Sequence, residues 1–311
     1  MKKVELHLHL DGSLNVDLAN KLMNKDCSKD MISDNSNSLK EYLNKFDLPI
    51  SLLQDENNIE NFCYLLGKEL EKDEVIYAEV RFCPLFHVEK TSIDNVVEAI
   101  IRGFKKVSTI KVNLIFCMMR HFSKEKNLEI IELTEKYLGN GVCAIDLAGD
   151  EGNFKTSDFE ELFEIIRKKK IPFTIHAGEA DNFTSVDWAI KYGAKRIGHG
   201  VRSIESDATI RKLIDKKILL EVCPKSNIDT NLVSDIKFHP IKDLIDKGVL
   251  VSINTDNRTV SNTSLNYEYE LLRNTFDISD EDFVLFNLNA INAAFISEEE
   301  KDELRDRLLS N

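Results

Sequence analysis

No two of the six cysteines in this sequence stand at Cys-x-x-Cys spacing. Cys83, Cys117, Cys143 and Cys223 fall inside apolar runs, where cysteine acts as a small hydrophobe. A disulfide framework is therefore not indicated, and a reducing compartment is expected. The sequence also lacks any apolar stretch long enough to span a bilayer. Its basic start, Met1-Lys2-Lys3, runs into an alternating strand pattern rather than a signal-peptide core. These absences predict a cytoplasmic chain with no membrane partner. Cationic residues are in the minority: 41 Lys and Arg against 54 Asp and Glu leave a formal net charge of −13. A phosphate-backbone surface needs clustered Lys and Arg, so nucleic acid is not an expected partner and a small polar or cationic ligand fits better. No Gly-rich phosphate fingerprint follows any strand. No internal repeat, low-complexity tract or interdomain linker divides the 311 residues.

What the sequence has is a rhythm. Eight apolar runs read as strands: Val4–Leu10, Val75–Cys83, Val112–Met118, Val142–Leu147, Phe173–His176, Arg196–His199, Leu219–Cys223 and Leu250–Asn254. Between them lie helical periodicities. Ile59, Phe62, Cys63, Leu66 and Leu70 share one face, as do Ile93, Val96, Val97, Ile100 and Phe104. Alternation of this kind implies a parallel sheet, and eight units suit an α/β fold closed as a (β/α)8 TIM barrel, a single domain over residues 1–311. An open doubly wound sheet is the alternative, but its usual phosphate loop is missing. A long helical insert, residues 11–74, follows the first strand. It holds a polar loop at Lys25–Asn37 and a capping-box pattern at Ser38-x-x-Glu41. An insert there lies on the carboxyl-terminal face of a barrel, where it could act as a lid, while Lys25–Asn37 itself equally fits a mobile surface loop. Extra helices are expected after the last strand near Leu265–Leu272, Glu281–Ala294 and Ser297–Leu309, the last opened by Ser297-x-x-Glu300.

The histidines give the rhythm a chemical meaning. His7 and His9 sit two apart on the first strand, so both can point into the barrel mouth. His176 ends the fifth strand, and Asp256 follows the eighth. A lone His-x-His also describes ordinary histidines, but four such residues at strand ends in barrel order describe a divalent metal site. Three imidazoles and a carboxylate suit Zn²⁺, with Fe²⁺, Mn²⁺ and Co²⁺ also compatible. Glu179, three residues past His176, is placed beside the metal as a proton donor or acceptor, and His199 at the end of the sixth strand can orient or deprotonate a water. Alone, each would read as a solvated carboxylate and a core histidine. His87, His121 and His239 have no partner at ligand spacing and read as structural, with His239-Pro240 opening a helix.

At this point the residues resemble a known family. Glu5-Leu6-His7-Leu8-His9-Leu10-Asp11-Gly12, Asp146-Leu147-Ala148-Gly149-Asp150-Glu151 and His176-Ala177-Gly178-Glu179 look like signature blocks of the adenosine deaminases. So do Arg196-Ile197-Gly198-His199-Gly200, Glu221-Val222-Cys223-Pro224-x-Ser226-Asn227 and Asn254-Thr255-Asp256. The resemblance implies one Zn²⁺ per chain, held by His7, His9, His176 and Asp256. It implies attack of an activated water on C6 of a purine nucleoside, with Glu179 protonating ring N1 and His199 and Asp256 orienting the nucleophile. It places the Gly149 N–H at purine N3, and His9 and Asp11 near the ribose 5′-hydroxyl. Where many members carry a second aspartate at purine N7, this chain has Asn257, whose amide donates without first being protonated. The insert is shorter than is usual in the family.

The activity so implied is hydrolysis of adenosine and 2′-deoxyadenosine to the inosine products and ammonia, as in purine salvage. The same chemistry on adenine, a 5′-modified adenosine or an aminofutalosine-type compound is the nearest alternative. AMP is disfavoured, because an anion at Asp11 repels a 5′-phosphate. A catalytically silent nucleoside binder is a third reading, though binding alone would not require both Glu179 and His199. A different metal hydrolase is a fourth, and no lysine stands where a bridging second-metal ligand would. The expected partner is a small-molecule purine nucleoside, and nothing in the sequence sets an oligomeric state.

Overall fold

In the computed structural model, residues 1–33, 42 and 44–310 are described. Eight strands stand where the apolar runs fall: β1 (Lys3–His9), β2 (Val75–Phe82), β3 (Lys111–Met119), β4 (Val142–Ala148), β5 (His176–Ala177), β6 (Arg196–His199), β7 (Leu219–Val222) and β8 (Leu250–Ile253). All neighbours pair in parallel, as one sheet of β1–β4 and one of β5–β8. Backbone bridges close both seams. At one, Ile145 meets Phe173, and the Thr174 N–H donates to the Ile145 carbonyl at 3.1 Å. At the other, Leu8 meets Asp256. There the Asp256 N–H donates to the His7 carbonyl at 2.9 Å and the His9 N–H to the Asp256 carbonyl at 2.7 Å. The sheet is a closed barrel, which removes the doubly wound alternative.

The fifth strand is shorter than its apolar run predicts. Pro172 has no N–H to offer a ladder, and Gly178 turns the chain at φ 71°, so only His176 and Ala177 pair continuously with β6. β2 is buried along its whole length, as a barrel strand must be with helices outside and packed side chains within. That makes the charged residues inside the strands conspicuous. Glu5, Glu79, Arg81, Asp146, Arg196 and Glu221 are all fully enclosed.

Outside the barrel, helix Glu56–Lys72 is capped by Asp55 and helix Ile93–Lys105 by Ser92, and each buries its expected apolar face, Ile93 only partly. Gly103 lets the two helices touch: a Cβ there would lie 2.5 Å from the Glu60 carbonyl oxygen. In the insert, helices Val16–Met23 and Asp47–Leu52 flank the region expected as loop. Ser28–Met31 within it forms a helical turn, because Cys27 and Met31 bury completely. Residues 34–37 and the Ser38-x-x-Glu41 pattern lie outside the described residues. Helices Leu265–Phe276, Asp280–Ala293 and Glu298–Leu309 follow β8, and Ser297 and Glu300 cap each other reciprocally. Asn287 on the second of these accepts the Val4 N–H at 2.8 Å, sealing the amino-terminal end of the barrel. All six cysteines are buried and free. Among the described residues no helix is long and apolar enough to cross a membrane.

Glu268 carries a measurable consequence of this packing. It is fully buried, accepting from the Lys225 N–H at 3.1 Å and the Thr263 hydroxyl at 2.7 Å. Burial pushes its pKa from 4.5 up to about 8. The folded value lies above the unfolded one, so its contribution is intact below pH 4.5 and is lost as pH rises toward 8. Between those limits stability should fall by about 1.4 kcal/mol per pH unit from this group. Glu268→Gln should remove that slope in urea unfolding measured at mildly acidic and mildly alkaline pH. An unchanged slope would mean the carboxyl is ionised in the folded protein.

Candidate metal centre and active site

β1 delivers both of its histidines to the carboxyl end of the barrel. His7 Nδ1 donates to Glu221 Oε2 at 2.9 Å, which leaves the Nε2 lone pair facing inward. That Nε2 makes no hydrogen bond among the described residues and lies 3.3 Å from Asp256 Oδ1. Burial, aided by the nearby Arg81 charge, lowers the His7 pKa to about 4, so the ring is neutral. His9 Nε2 sits 3.1 Å from His176 Nε2 and 3.4 Å from Asp256 Oδ1. His176 is turned by Asp146, whose Oδ2 lies 2.9 Å from its Nδ1. The Ser226 hydroxyl donates to Asp256 Oδ2 at 2.6 Å and so leaves Oδ1 for the centre. His199 joins them: one donor atom each from His7, His176, His199 and Asp256 lies within 4.8 Å of the other three.

Ring nitrogens and a carboxylate oxygen thus converge at a buried point. A cation satisfies such a set, and three imidazoles with one carboxylate match the chemistry of Zn²⁺. Both His199 and Asp256 reach this point from left-handed backbone, at φ 59° and 61°. Non-glycine residues rarely adopt that conformation, and it concentrates at functional sites.

Beneath the histidines lies a sealed network of charge. Arg81 Nη1 donates to Asp146 Oδ2 and its Nη2 to Glu221 Oε2, each at 2.8 Å. Arg196 forms ion pairs with two carboxylates, its Nε 2.7 Å from Glu221 Oε1 and its Nη2 2.6 Å from Glu79 Oε2. None of these side chains is exposed. Burial alone would raise the Glu221 pKa, but Arg81 and Arg196 overcome it and hold the carboxyl well below the usual range. Asp146 is likewise held ionised against burial, by His176 and Arg81. Each carboxylate therefore accepts from an arginine on one side and orients a histidine on the other.

Glu179 comes from a loop built around another carboxylate. Glu151 accepts four successive backbone N–H groups: Gly178 at 2.7 Å, Glu179 at 3.0 Å, Ala180 at 2.7 Å and Asp181 at 3.0 Å. The Ser185 hydroxyl also donates to it. The Glu179 side chain turns back over the centre, with Oε2 at 3.6 Å from His199 Nε2, and burial raises its pKa. A cavity of about 410 Å³ opens above. Eight of the nine residues singled out in the sequence line it, including Asp11, Gly149 and Asn257, while His7 lies just below. Gly149 has φ 101°, which reserves the position for glycine. Asp11 is paired with His87 at 2.9 Å, and the Asn257 amide donates to the Tyr42 hydroxyl at 3.0 Å. Phe46 and Ile50 of the insert line the same cavity.

Residues 2–311 match the family model for adenosine deaminase. The chain belongs to the adenosine deaminase family. It is 40% identical to the adenosine deaminase of Haemophilus ducreyi, covering 97% of this chain and 94% of that one. It is also 40% identical to that of Clostridium perfringens, over 98% and 97%. Among solved structures, an adenine deaminase from Arthrobacter aurescens superimposes with a TM-score of 0.88 at 20% identity, covering 98% of this chain and 97% of that one. An N6-methyl-AMP deaminase from Arabidopsis gives 0.87 at 28% identity, covering 99% and 97%. Adenosine deaminases are metal-dependent hydrolases of cyclic amidine C–N bonds, and this member carries a His/Asp group able to hold the metal.

Asp146, Glu151, Glu221, Ser226 and Asn227 stood inside the signature blocks without a role. A charged residue within an otherwise apolar strand was the available signal. His87 and His239, read as structural, contact Asp11 and the Asn227 side chain respectively. The Glu151 cradle yields a direct test. Glu151→Gln replaces one acceptor oxygen with a donor facing N–H groups, and should lower kcat at least about tenfold by misplacing Glu179. Metal content should be unchanged, since Glu151 touches no residue of the metal cluster. Loss of metal with loss of rate would refute the separation of the two supports.

Proposed function

We propose that this single-domain chain hydrolyses adenosine and 2′-deoxyadenosine to inosine and 2′-deoxyinosine plus ammonia in the cytoplasm. One Zn²⁺ would be held by His7, His9, His176 and Asp256. The observation that carries the reading is the placement of Glu179, a partly buried carboxyl of raised pKa, against the cluster of His7, His176, His199 and Asp256, with His9 Nε2 3.1 Å from His176 Nε2, in a cavity of nucleoside size. Zinc, when bound, would supply a Lewis acid that eases removal of a proton from water.

The rest falls to the protein. Glu179 in its protonated form donates to purine N1, which weakens ring aromaticity at C6 and favours addition there. His199 and Asp256 orient the incoming oxygen, Asp256 steadied by Ser226. The Gly149 N–H faces purine N3. Asn257 spends one amide hydrogen on Tyr42 and keeps the other for N7. His9 and Asp11 face the ribose 5′-hydroxyl. Water is kept out by Phe46, Ile50 and Phe86 around the cavity. Six free, buried cysteines suit a reducing compartment.

A second reading has its own observation. Asp11 is 2.9 Å from His87, which softens the argument that its charge excludes a 5′-phosphate. Several structural neighbours are plant enzymes described with IMP, GMP or N6-methyl-AMP. The ultraviolet change from adenosine to inosine, followed on zinc-loaded protein with adenosine, adenine and AMP in parallel, separates the readings. We expect adenosine to be turned over with kcat/KM at least about 100-fold above AMP, from charge repulsion of a few kcal/mol in a buried site. Equal or faster turnover of AMP would move the substrate to a nucleotide. Glu179→Gln should lower kcat by about a thousandfold while zinc content stays at the wild-type level. Full activity in that variant would remove Glu179 as the acid.

A further inference from the structure

Behind His199, away from the cavity, runs a chain of hydrogen bonds whose direction is fixed at its far end. The backbone N–H of Ile241 donates to His239 Nδ1 at 3.1 Å. A backbone N–H can only donate, so Nδ1 must accept, and the proton of a neutral His239 sits on Nε2. His239 is buried and neutral, its pKa pushed down to about 3 by burial. Its Nε2 lies 3.0 Å from Asn227 Oδ1, which accepts that proton's hydrogen bond and thereby orients the amide. The Asn227 Nδ2 then faces His199 Nδ1 at 3.1 Å as a donor. Asn227 is itself fully enclosed, so no solvent competes for either end of the amide.

We propose that His239, acting through Asn227, is a positioning residue that sets the tautomer of His199. Nδ1 of His199 is committed as an acceptor, so neutral His199 carries its proton on Nε2, the nitrogen that faces the metal cluster and Glu179. Glu179 Oε2, at 3.6 Å, is too distant to make this choice by a hydrogen bond. His199 then meets the attacking oxygen as a hydrogen-bond donor. It holds a nucleophile's lone pair in place and does not take up its proton, which narrows the two roles open to it from the sequence. This deepens the deaminase reading and rests on it for the catalytic consequence, while the tautomer is a property of the folded chain alone.

The test is nitrogen-15 NMR of the histidine rings in metal-free full-length protein, with the His199 signals assigned by difference from His199→Gln. Wild type should show Nε2 protonated and Nδ1 bare. Asn227→Asp presents only acceptor oxygens to both histidines, so Nδ1 of His199 should gain a proton. His239→Leu releases the Asn227 amide and should mix the His199 tautomers, and His239→Gln, which keeps a donor for Asn227, should restore the wild-type pattern. In zinc-loaded enzyme, His239→Leu should lower kcat about 10–100-fold with KM changed less than about threefold, and His239→Gln should recover most of the loss. A wild-type signal with Nδ1 protonated overturns the proposal without any variant having to fold. So does an unchanged His199 pattern in Asn227→Asp. The expected NMR pattern in a protein that turns over no purine would instead sink the deaminase reading and leave the relay standing.

Discussion

Two guanidinium groups sealed inside the barrel, Arg81 and Arg196, are what the rest of the site depends on. A bare guanidinium in this interior would be prohibitively costly, so each must be matched by carboxylates, and Asp146, Glu221 and Glu79 do so. Such a network contributes little net stability compared with a well-packed apolar core, yet removing one member leaves a stranded charge worth about 3–5 kcal/mol. Its value here is directional. Because Asp146 and Glu221 cannot rotate away from their arginines, they hold His176 and His7 by one nitrogen and aim the other at the cluster.

The same device recurs around the cavity in other chemical forms. Ser226 fixes which oxygen of Asp256 looks inward. Glu151 gathers four consecutive N–H groups and so shapes the turn carrying Glu179. Asn227 stands behind His199, and Tyr42 behind Asn257. His7, His176, His199, Asp256 and Asn257 each have one polar atom committed to the protein and one left for chemistry. Such preorganisation places the cost of alignment in folding rather than in each turnover.

The barrel and the inner ring were legible in the sequence because both are written locally. Apolar runs mark strands, and His7, His9, His176 and His199 stand out against them. The supports are written across distance. Glu221 meets His7 from 214 residues away, and nothing near either residue announces the pairing. Glu151 is 27 residues from the nearest group it holds, and its partners are mostly backbone groups that every sequence possesses. His239 looked structural because its role passes through an amide whose orientation only the Ile241 N–H decides. Tyr42 belongs to the insert, where periodicity is weakest. Even the short fifth strand follows from its flanks, Pro172 without an N–H on one side and the turn at Gly178 on the other, rather than from the apolar run between them.

Asp256 belongs at once to the cluster and to the β1–β8 seam, through the hydrogen bonds its peptide group makes with His7 and His9. The cluster therefore has a timetable. His7 and His9 leave the ribosome long before Asp256, so through the synthesis of the intervening strands β1 has an unpaired flank. The arrival of β8 covers that flank and delivers the carboxylate in the same event. A partly made chain offers a metal two histidines on a fraying strand, whereas a finished one offers a buried pocket. Loading is thus tied to completion of the barrel, and an ion bound there would clasp the first strand to the last.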